Sequence, residues 1–257
     1  MKYIVFLKQV PLSTKVAIDP ETKTLQRSSA LCQTNPDDLY ALEAAVTWKK
    51  YTGAEVIAVS MGPKSAESVL REALQRGADR AVLVTDLAFA GSDTWCTSFV
   101  LAQVARMIGD YSMLFFGRMA IDGDTAQVGP GVAAQLNIPQ ITWIRSIDSV
   151  DSKQVVVTRS TGDDNIQQLS VTLPCAVMIS KEWGTLRAPN LQGWRFAKSQ
   201  TIEYWDAARL HIRPEEVGLY ASPTHVLATD VPEVKKQIVW LDSVEDLAKC
   251  IHDSLSK

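Results

Sequence analysis

Apolar positions in the first half of the chain follow two alternating periods. Tyr3-Ile-Val-Phe-Leu7, Glu55-Val-Ile-Ala-Val-Ser60, Ala81-Val-Leu-Val84 and Met113-Leu-Phe-Phe116 are short, almost unbroken apolar runs. Runs of that length and composition predict strands covered on both faces. Between them the apolar residues recur at helical spacing. Leu39, Ala41, Leu42, Ala45 and Val46 form one stripe, Ala66, Val69, Leu70, Ala73 and Leu74 a second, and a third helix runs from Ser92 or Asp93 to near Ile108. Asn35 stands at the N-cap of the first helix with Pro36 at its first position, and Asp37 and Asp38 suit its positive end. Met61-Gly62-Pro63 predicts a tight turn, and Gly77 ends the second helix. The resulting order, β-α-β-α-β-α-β, predicts an open, mostly parallel α/β sheet flanked by helices. It excludes a helix bundle and an all-β sandwich for this half.

The helical period then stops. Residues 140–147, 154–158, 167–172 and 176–180 read as strands joined by short polar turns, expected as antiparallel additions to the same sheet. Residues 17–26 look like a hairpin, with Asp19-Pro20 starting the turn. Leu186 to Lys198 mixes basic and exposed-looking apolar residues with little period. Its Trp194, Phe196, Arg187 and Arg195 are types enriched at interfaces. From Glu203 the chain is irregular and proline-spaced. It closes on an amphipathic helix with Leu247, Cys250, Ile251 and Leu255 as its stripe and Ser243 and Asp246 as a capping pair.

The fourth strand runs into Gly117-Arg-Met-Ala-Ile-Asp-Gly-Asp-Thr-Ala-Gln-Val-Gly-Pro130, and a short helix is expected from Gly131. In a parallel sheet such a loop lies at the carboxyl edge, where ligands bind. Exposed N–H groups at a helix start attract phosphate. Asp124 or Thr125 is expected to cap that helix. Asp122 and Asp124 would repel a phosphate they faced, so they are expected to cap or to accept hydrogen bonds from ribose hydroxyls. Lys8 and Gln9 stand at the carboxyl end of the first strand, beside the same edge.

Composition narrows this little further. The chain has 257 residues, 46% of them hydrophobic and 21% charged, and a net charge of −3. That charge carries no basic footprint for nucleic acid, and no apolar run reaches bilayer length, so no membrane insertion is expected. The first residues read as a strand rather than a signal peptide, and the cytoplasm is the expected location. Cys32, Cys96, Cys175 and Cys250 lack metal-ligand spacing, and Cys96 and Cys175 read as core residues. No metal is expected. His211, His225 and His252 have no triad partners nearby in the sequence, and no catalytic side chain is assigned.

Several segments, in order and spacing, resemble the β subunit of electron-transfer flavoproteins. They are Leu7-Lys-Gln-Val-Pro11, Ile18-Asp-Pro20, Asn35 to Asp38 with Ala41-Leu-Glu43, Val59-Ser-Met-Gly-Pro63, Leu70-Arg-Glu-Ala-Leu74 with Gly77-Ala-Asp79, and Ala120 to Pro130. The stretch from Ile121 to Pro130 is most similar to the electron-bifurcating members, which bind a complete FAD where ordinary members hold AMP. The resemblance implies an adenine-nucleotide-binding fold without a G-x-G-x-x-G fingerprint. It implies nucleotide contacts from Phe6, Lys8, Asn35, Pro36, Asp37, Asp38, Met61, Arg118, Met119, Ala120, Ile121, Asp122, Gly123, Asp124, Thr125, Ala126, Gln127, Val128 and Gly129. It divides the chain into a nucleotide-binding domain over 1–185, a partner-recognition loop over 186–200, and an arm over 201–257 that contacts an α subunit. Leu186, Arg187, Leu191 and Trp194 would meet a partner dehydrogenase.

The family's lysine run is replaced here by Arg195-Phe-Ala-Lys-Ser-Gln200, and Trp183-Gly184 stands where Asn-Glu-Pro is common. The implied partner is therefore a flavin-dependent dehydrogenase of either acyl-CoA or lactate type. As a bifurcating subunit the chain would take hydride from NADH on its FAD. It would send one electron to ferredoxin and the other through the α-subunit FAD to the dehydrogenase. Arg118 would stabilise negative charge on the flavin. A non-bifurcating carrier holding structural AMP is the alternative, and a nucleotide-binding regulatory module without redox chemistry a third.

Overall fold

The computed structural model describes residues 1–12, 31–162, 165–226, 240–241 and 243–255. The hairpin expected over 17–26 and the Ile18-Asp-Pro20 segment lie outside the described residues. The apolar runs do form strands: β1 (Lys2–Phe6), β4 (Glu55–Met61), β5 (Arg80–Val84) and β6 (Met113–Gly117). A two-stranded ribbon, β2 (Gln9–Pro11) with β3 (Cys32–Thr34), lies between β1 and the first helix. The helices are α1 (Pro36–Thr52), α2 (Glu67–Arg76), α3 (Thr94–Ile108) and α4 (Val128–Leu136). The second half supplies β7 (Gln140–Val150), β8 (Gln154–Gly162), β9 (Asn165–Thr172), β10 (Cys175–Ile179), α5 (Leu191–Ser199), β11 (Glu203–Trp205) and the single turn α6 (Gly218–Ala221).

These strands make one nine-stranded sheet in the order β11-β5-β4-β1-β6-β10-β7-β8-β9. Its members are parallel from β11 through β7, and β8 and β9 add antiparallel. The expected mostly parallel α/β architecture is what the chain adopts. One expectation needs correcting: the strands at 140–147 and 176–180, β7 and β10, are not antiparallel additions but continue the parallel part of the sheet. β10 inserts parallel between β6 and β7, with Ile179 opposite Gly117 on one side and Ile144 on the other. All five of its residues are buried, as a strand with neighbours on both edges and both faces requires.

The sheet splits the core into two layers. Tyr3, Val5, Phe115, Leu42, Leu70 and Leu74 fill the side covered by α1 and α2. Ile4, Leu114, Val100, Val104 and Val132 fill the side covered by α3 and α4. Burying each such large side chain is worth about 1.5–3 kcal/mol against leaving it in water. Cys96 and Cys175 are buried, and burial pushes the Cys175 thiol up to about 12.

Three further boundaries differ from the sequence reading. The segment after Leu186, which shows no clear period, contains helix α5, begun by Asn190, whose side chain accepts from the Gly193 N–H at 2.8 Å. Residues 203–205 are not irregular but extend the sheet beside β5. Helix α4 starts three residues before Gly131, at Val128. Met1–His225 forms one compact unit and Val226–Lys257 a second. The second contains α7 (Val244–Leu255), whose Asp246 N–H donates to the Ser243 hydroxyl at 3.1 Å, as the capping pattern predicts.

Candidate functional site

Strand order reverses at β1. The chain moves from β1 through α1 to β4 on one side, and later returns to place β6 on the other. In an open α/β sheet the crevice at that reversal, beyond the carboxyl ends of the strands, is where ligands bind. Here it lies between the end of β1, the start of α1 and the loop that follows β6. Beneath this edge the buried Phe6 and Phe116 rings stack 4.6 Å apart in the core.

Three polar side chains knit these elements together. Asn35 occupies the N-cap position of α1, but its side chain caps nothing in the helix. Fully buried, it reaches instead to the β6 loop, donating to the Met119 carbonyl at 2.8 Å and accepting from the Ile121 N–H at 3.1 Å. Its own N–H donates to the Lys8 carbonyl at 2.8 Å. Asp38 accepts from the Lys8 N–H at 2.8 Å, tying α1 to β1. Burial pushes the Asp38 carboxyl up to about 7, against the pull of its hydrogen bonds. Asp37 accepts from Arg118 Nε at 3.1 Å. Both aspartates are therefore buried and engaged in hydrogen bonds, besides lying at the positive end of α1.

Gly117 makes this approach possible. A Cβ there would stand 2.6 Å from the Asp37 carbonyl carbon and the Asp38 nitrogen and would overlap the Asp38 carboxylate. The residue has to lack a side chain for the start of α1 to sit against the end of β6.

The loop then turns through Asp124 and Ala126, both in the left-handed region (φ +53° and +54°), with the Asp124 N–H donating to the Ala120 carbonyl at 2.8 Å. That backbone overturns the expected cap. Neither Asp124 nor Thr125 caps α4; Gln127 holds the N-cap position, in helical conformation and with no capping side chain. Pro130 has no N–H, and the Gly131 N–H already donates to the Gln127 carbonyl. The donors that α4 offers to an anion are those of Val128 and Gly129. The Thr94 hydroxyl holds the Gln127 side chain at 3.0 Å, and the Ser98 hydroxyl holds the Val128 carbonyl at 3.3 Å.

The two cations of the rim, Lys8 and Arg118, are each paired with a carboxylate. The Lys8 ammonium pairs with Asp122 at 2.7 Å, which offsets the carboxylate expected to repel phosphate. Arg118 lies over the indole of Trp143, 4.9 Å from its centroid. Trp143 is exposed and left-handed (φ +59°), at the register shift where β7 leaves β10. Residues 121–127 are exposed, leaving small side chains and main chain on the rim. The structure thus gathers Phe6, Lys8, Asn35 to Asp38 and Arg118 to Gly129 around one edge, with Met61 at the end of the neighbouring strand. Gly117, Trp143, Thr94 and Ser98 are the members that sequence reasoning missed. Gly117 alone had a visible signal, a glycine ending an apolar run.

The recognition segment is placed elsewhere. Leu191 and Trp194 are exposed on α5, Leu186 is half-buried, and Arg187 turns inward onto Glu43, with Nη2 2.6 Å from Oε1. Burial raises the Glu43 pKa, but the Arg187 hydrogen bonds outweigh it and hold the carboxylate below its usual range. Among the described residues no helix is long and apolar enough to cross a membrane, and no group of three or more His, Cys, Asp or Glu side chains could hold a metal ion.

Comparison with known proteins agrees with this fold. Residues 22–210 match the electron transfer flavoprotein domain. The electron transfer flavoprotein subunit beta of Thermoanaerobacterium thermosaccharolyticum is 40% identical over 237 residues, covering 92% of this chain and 90% of the relative. The chain belongs to the electron-transfer flavoprotein β-subunit family. CarD, a subunit of the caffeyl-CoA reductase–Etf complex of Acetobacterium woodii, is also 40% identical, over 91% of this chain and 89% of its own. FixA of Bradyrhizobium diazoefficiens is 37% identical over 99% of this chain and 91% of its own. Membership makes the chain an electron-transfer subunit with an α counterpart.

Proposed function

We propose that this β subunit binds a complete FAD at the β1–β6 edge and takes hydride from NADH there. One electron then goes to ferredoxin and the other passes through the α-subunit FAD to a partner flavin dehydrogenase. The observation that carries the reading is the uncapped start of α4 behind a small-residue loop, flanked by Lys8 and Arg118. Main-chain donors of that kind accept a pyrophosphate without a dedicated side chain. The 40% identity to CarD, a subunit of a caffeyl-CoA reductase–Etf complex, supports a partner enzyme for this chain.

The residues fit the cofactor as a binding site and not as acid–base machinery. FAD supplies the hydride and single-electron chemistry when bound. Val128 and Gly129 would hold its phosphates through their N–H groups. Asp122 and Asp124 are placed to accept from ribose hydroxyls, with Asp122 kept in position by Lys8. Arg118 is fixed between Asp37 and Trp143, a stationary positive charge at the rim. Residues 186–200 dock the dehydrogenase, and the arm over 201–257, through its part from Val226, contacts the α subunit. The cytoplasm is the location this scheme requires.

Anaerobic mixing of the αβ pair with NADH tests the reading. Flavin absorbance is expected to bleach, and ferredoxin to be reduced only when a dehydrogenase with its electron acceptor is present. A flavin spectrum unchanged by NADH would contradict the assignment and leave an AMP-holding carrier.

A further inference from the structure

Helix α5 and the segment leading into it are held to α2 through their backbone carbonyls. The Arg71 guanidinium, on α2, donates from Nη1 to the Ala197 and Gln200 carbonyls, each at 2.7 Å. Arg76, one and a half turns further on, donates from Nη1 to the Arg187 carbonyl at 2.7 Å. Neither arginine is free to swing. Glu67 holds Arg71 at 2.9 Å and Glu72 holds Arg76 at 2.7 Å, both from the preceding turn of the same helix. Between these clamps Gly193 rests on the last turn of α2, where any Cβ would overlap the Gln75 carbonyl oxygen. Arg187 closes the near end on Glu43 and on the Thr47 hydroxyl, the latter at 2.9 Å.

This fastening leaves side chains on the outer face unused. Leu191 is 64% exposed and Trp194 46%, while Ala197 on the inner face is buried. Lys198 stands 4.6 Å from the Trp194 ring centroid and fixes the indole from one side. An apolar pair carried on a mobile loop would have to be ordered on binding. On a helix clamped in advance that entropic cost is already met at folding.

We propose that Arg71, Arg76 and Gly193 are positioning residues for partner docking, holding α5 so that Leu191 and Trp194 enter an apolar pocket on the dehydrogenase. None of the three touches the partner. The inference rests on the reading that residues 186–200 dock the dehydrogenase, and it adds what sets their pose.

The test uses the αβ pair as the varied electron acceptor of an acyl-CoA dehydrogenase and, separately, of a flavin-dependent lactate dehydrogenase. Variants are Arg76→Leu, Arg76→Lys, Gly193→Ala and Leu191→Ala. Hydrogen exchange is followed over residues 187–200, and retained flavin content reports folding. Arg76→Leu and Gly193→Ala are expected to speed exchange in that segment and to raise KM with one of the two enzymes by roughly tenfold, about what one lost hydrogen bond costs. kcat stays unchanged. Arg76→Lys, which keeps one donor, recovers part of both effects. Leu191→Ala raises KM without altering exchange. Wild-type exchange and KM in the leucine and alanine variants at positions 76 and 193 would overturn the positioning role alone. An unchanged KM for Leu191→Ala with both enzymes would overturn the docking reading beneath it.

Discussion

At the scale of single residues, Asn35 and Asp38 carry more of the site than their sequence context suggests. Asn35 reads as a helix cap because of the Pro36 that follows it, and it does occupy that position. Its side chain goes to the β6 loop 84 and 86 residues away, a partner that no local pattern encodes. Asn35→Ala would remove its hydrogen bonds to the half-buried Met119 carbonyl and the exposed Ile121 N–H, a loss of about 0.5–1.5 kcal/mol each. We expect a lower Tm and weaker nucleotide binding together, measured by thermal unfolding and flavin titration. Binding unchanged in a destabilised variant would show that the loop keeps its shape without this bridge. Asp38 gives a pH signature. Its folded pKa, pushed up to about 7 by burial, exceeds that of an unfolded aspartate near 3.8. Its contribution to stability is therefore fully present below about 3.8 and is lost as pH rises towards 7, after which it levels. Asp38→Asn keeps an acceptor for the Lys8 N–H and removes the titration. Its Tm relative to wild type should rise between pH 4 and pH 7 and then run parallel; a constant difference across that range would contradict the buried carboxyl.

At the scale of elements, the strands and helices of the first half were legible because each is a local pattern with its own period. β10 was misplaced although its signal was present: Cys175-Ala-Val-Met-Ile179 is apolar at every position, as a central parallel strand must be, whereas β9 is largely exposed. Its neighbours are chosen by non-local pairing, Cys175 with Met113 on one edge and Val177 with Ile141 on the other, which periodicity cannot rank. β11 has three residues and gives no period, and α5 is hidden because its burial is confined to Ala197. The start of α4 was misread for a conformational reason. Asp124 and Ala126 adopt left-handed backbone, which removes Asp124 and Thr125 from the capping position. Where that helix begins also depends on its neighbour α3. A Cβ at Gly131 would overlap the Ser98 hydroxyl and lie 2.9 Å from the Ser98 Cβ. Gly131→Ala should push α4 away from α3, costing about 1–3 kcal/mol as overpacking does, and should weaken nucleotide binding by moving the Val128 and Gly129 donors. Flavin titration and thermal unfolding measure both; a destabilised variant with wild-type affinity would show that α4 does not hold the ligand.

At the scale of the whole molecule, the chain has two compact units. Met1–His225 contains the sheet, the β1–β6 edge and α5, and Val226–Lys257 carries α7. A chain ending at His225 is expected to unfold with nearly the wild-type Tm yet fail to copurify with the α subunit. Loss of the folded state on truncation would show instead that the second unit completes the core of the first. The family's electron-transfer role and the α/β fold follow from the sequence and its relatives; the choice of nucleotide is the claim on which the bifurcating scheme depends. The most direct measurement is the nucleotide content of the purified αβ pair, extracted and separated by chromatography. Two FAD per heterodimer is the result predicted here, and one FAD with one AMP would contradict it.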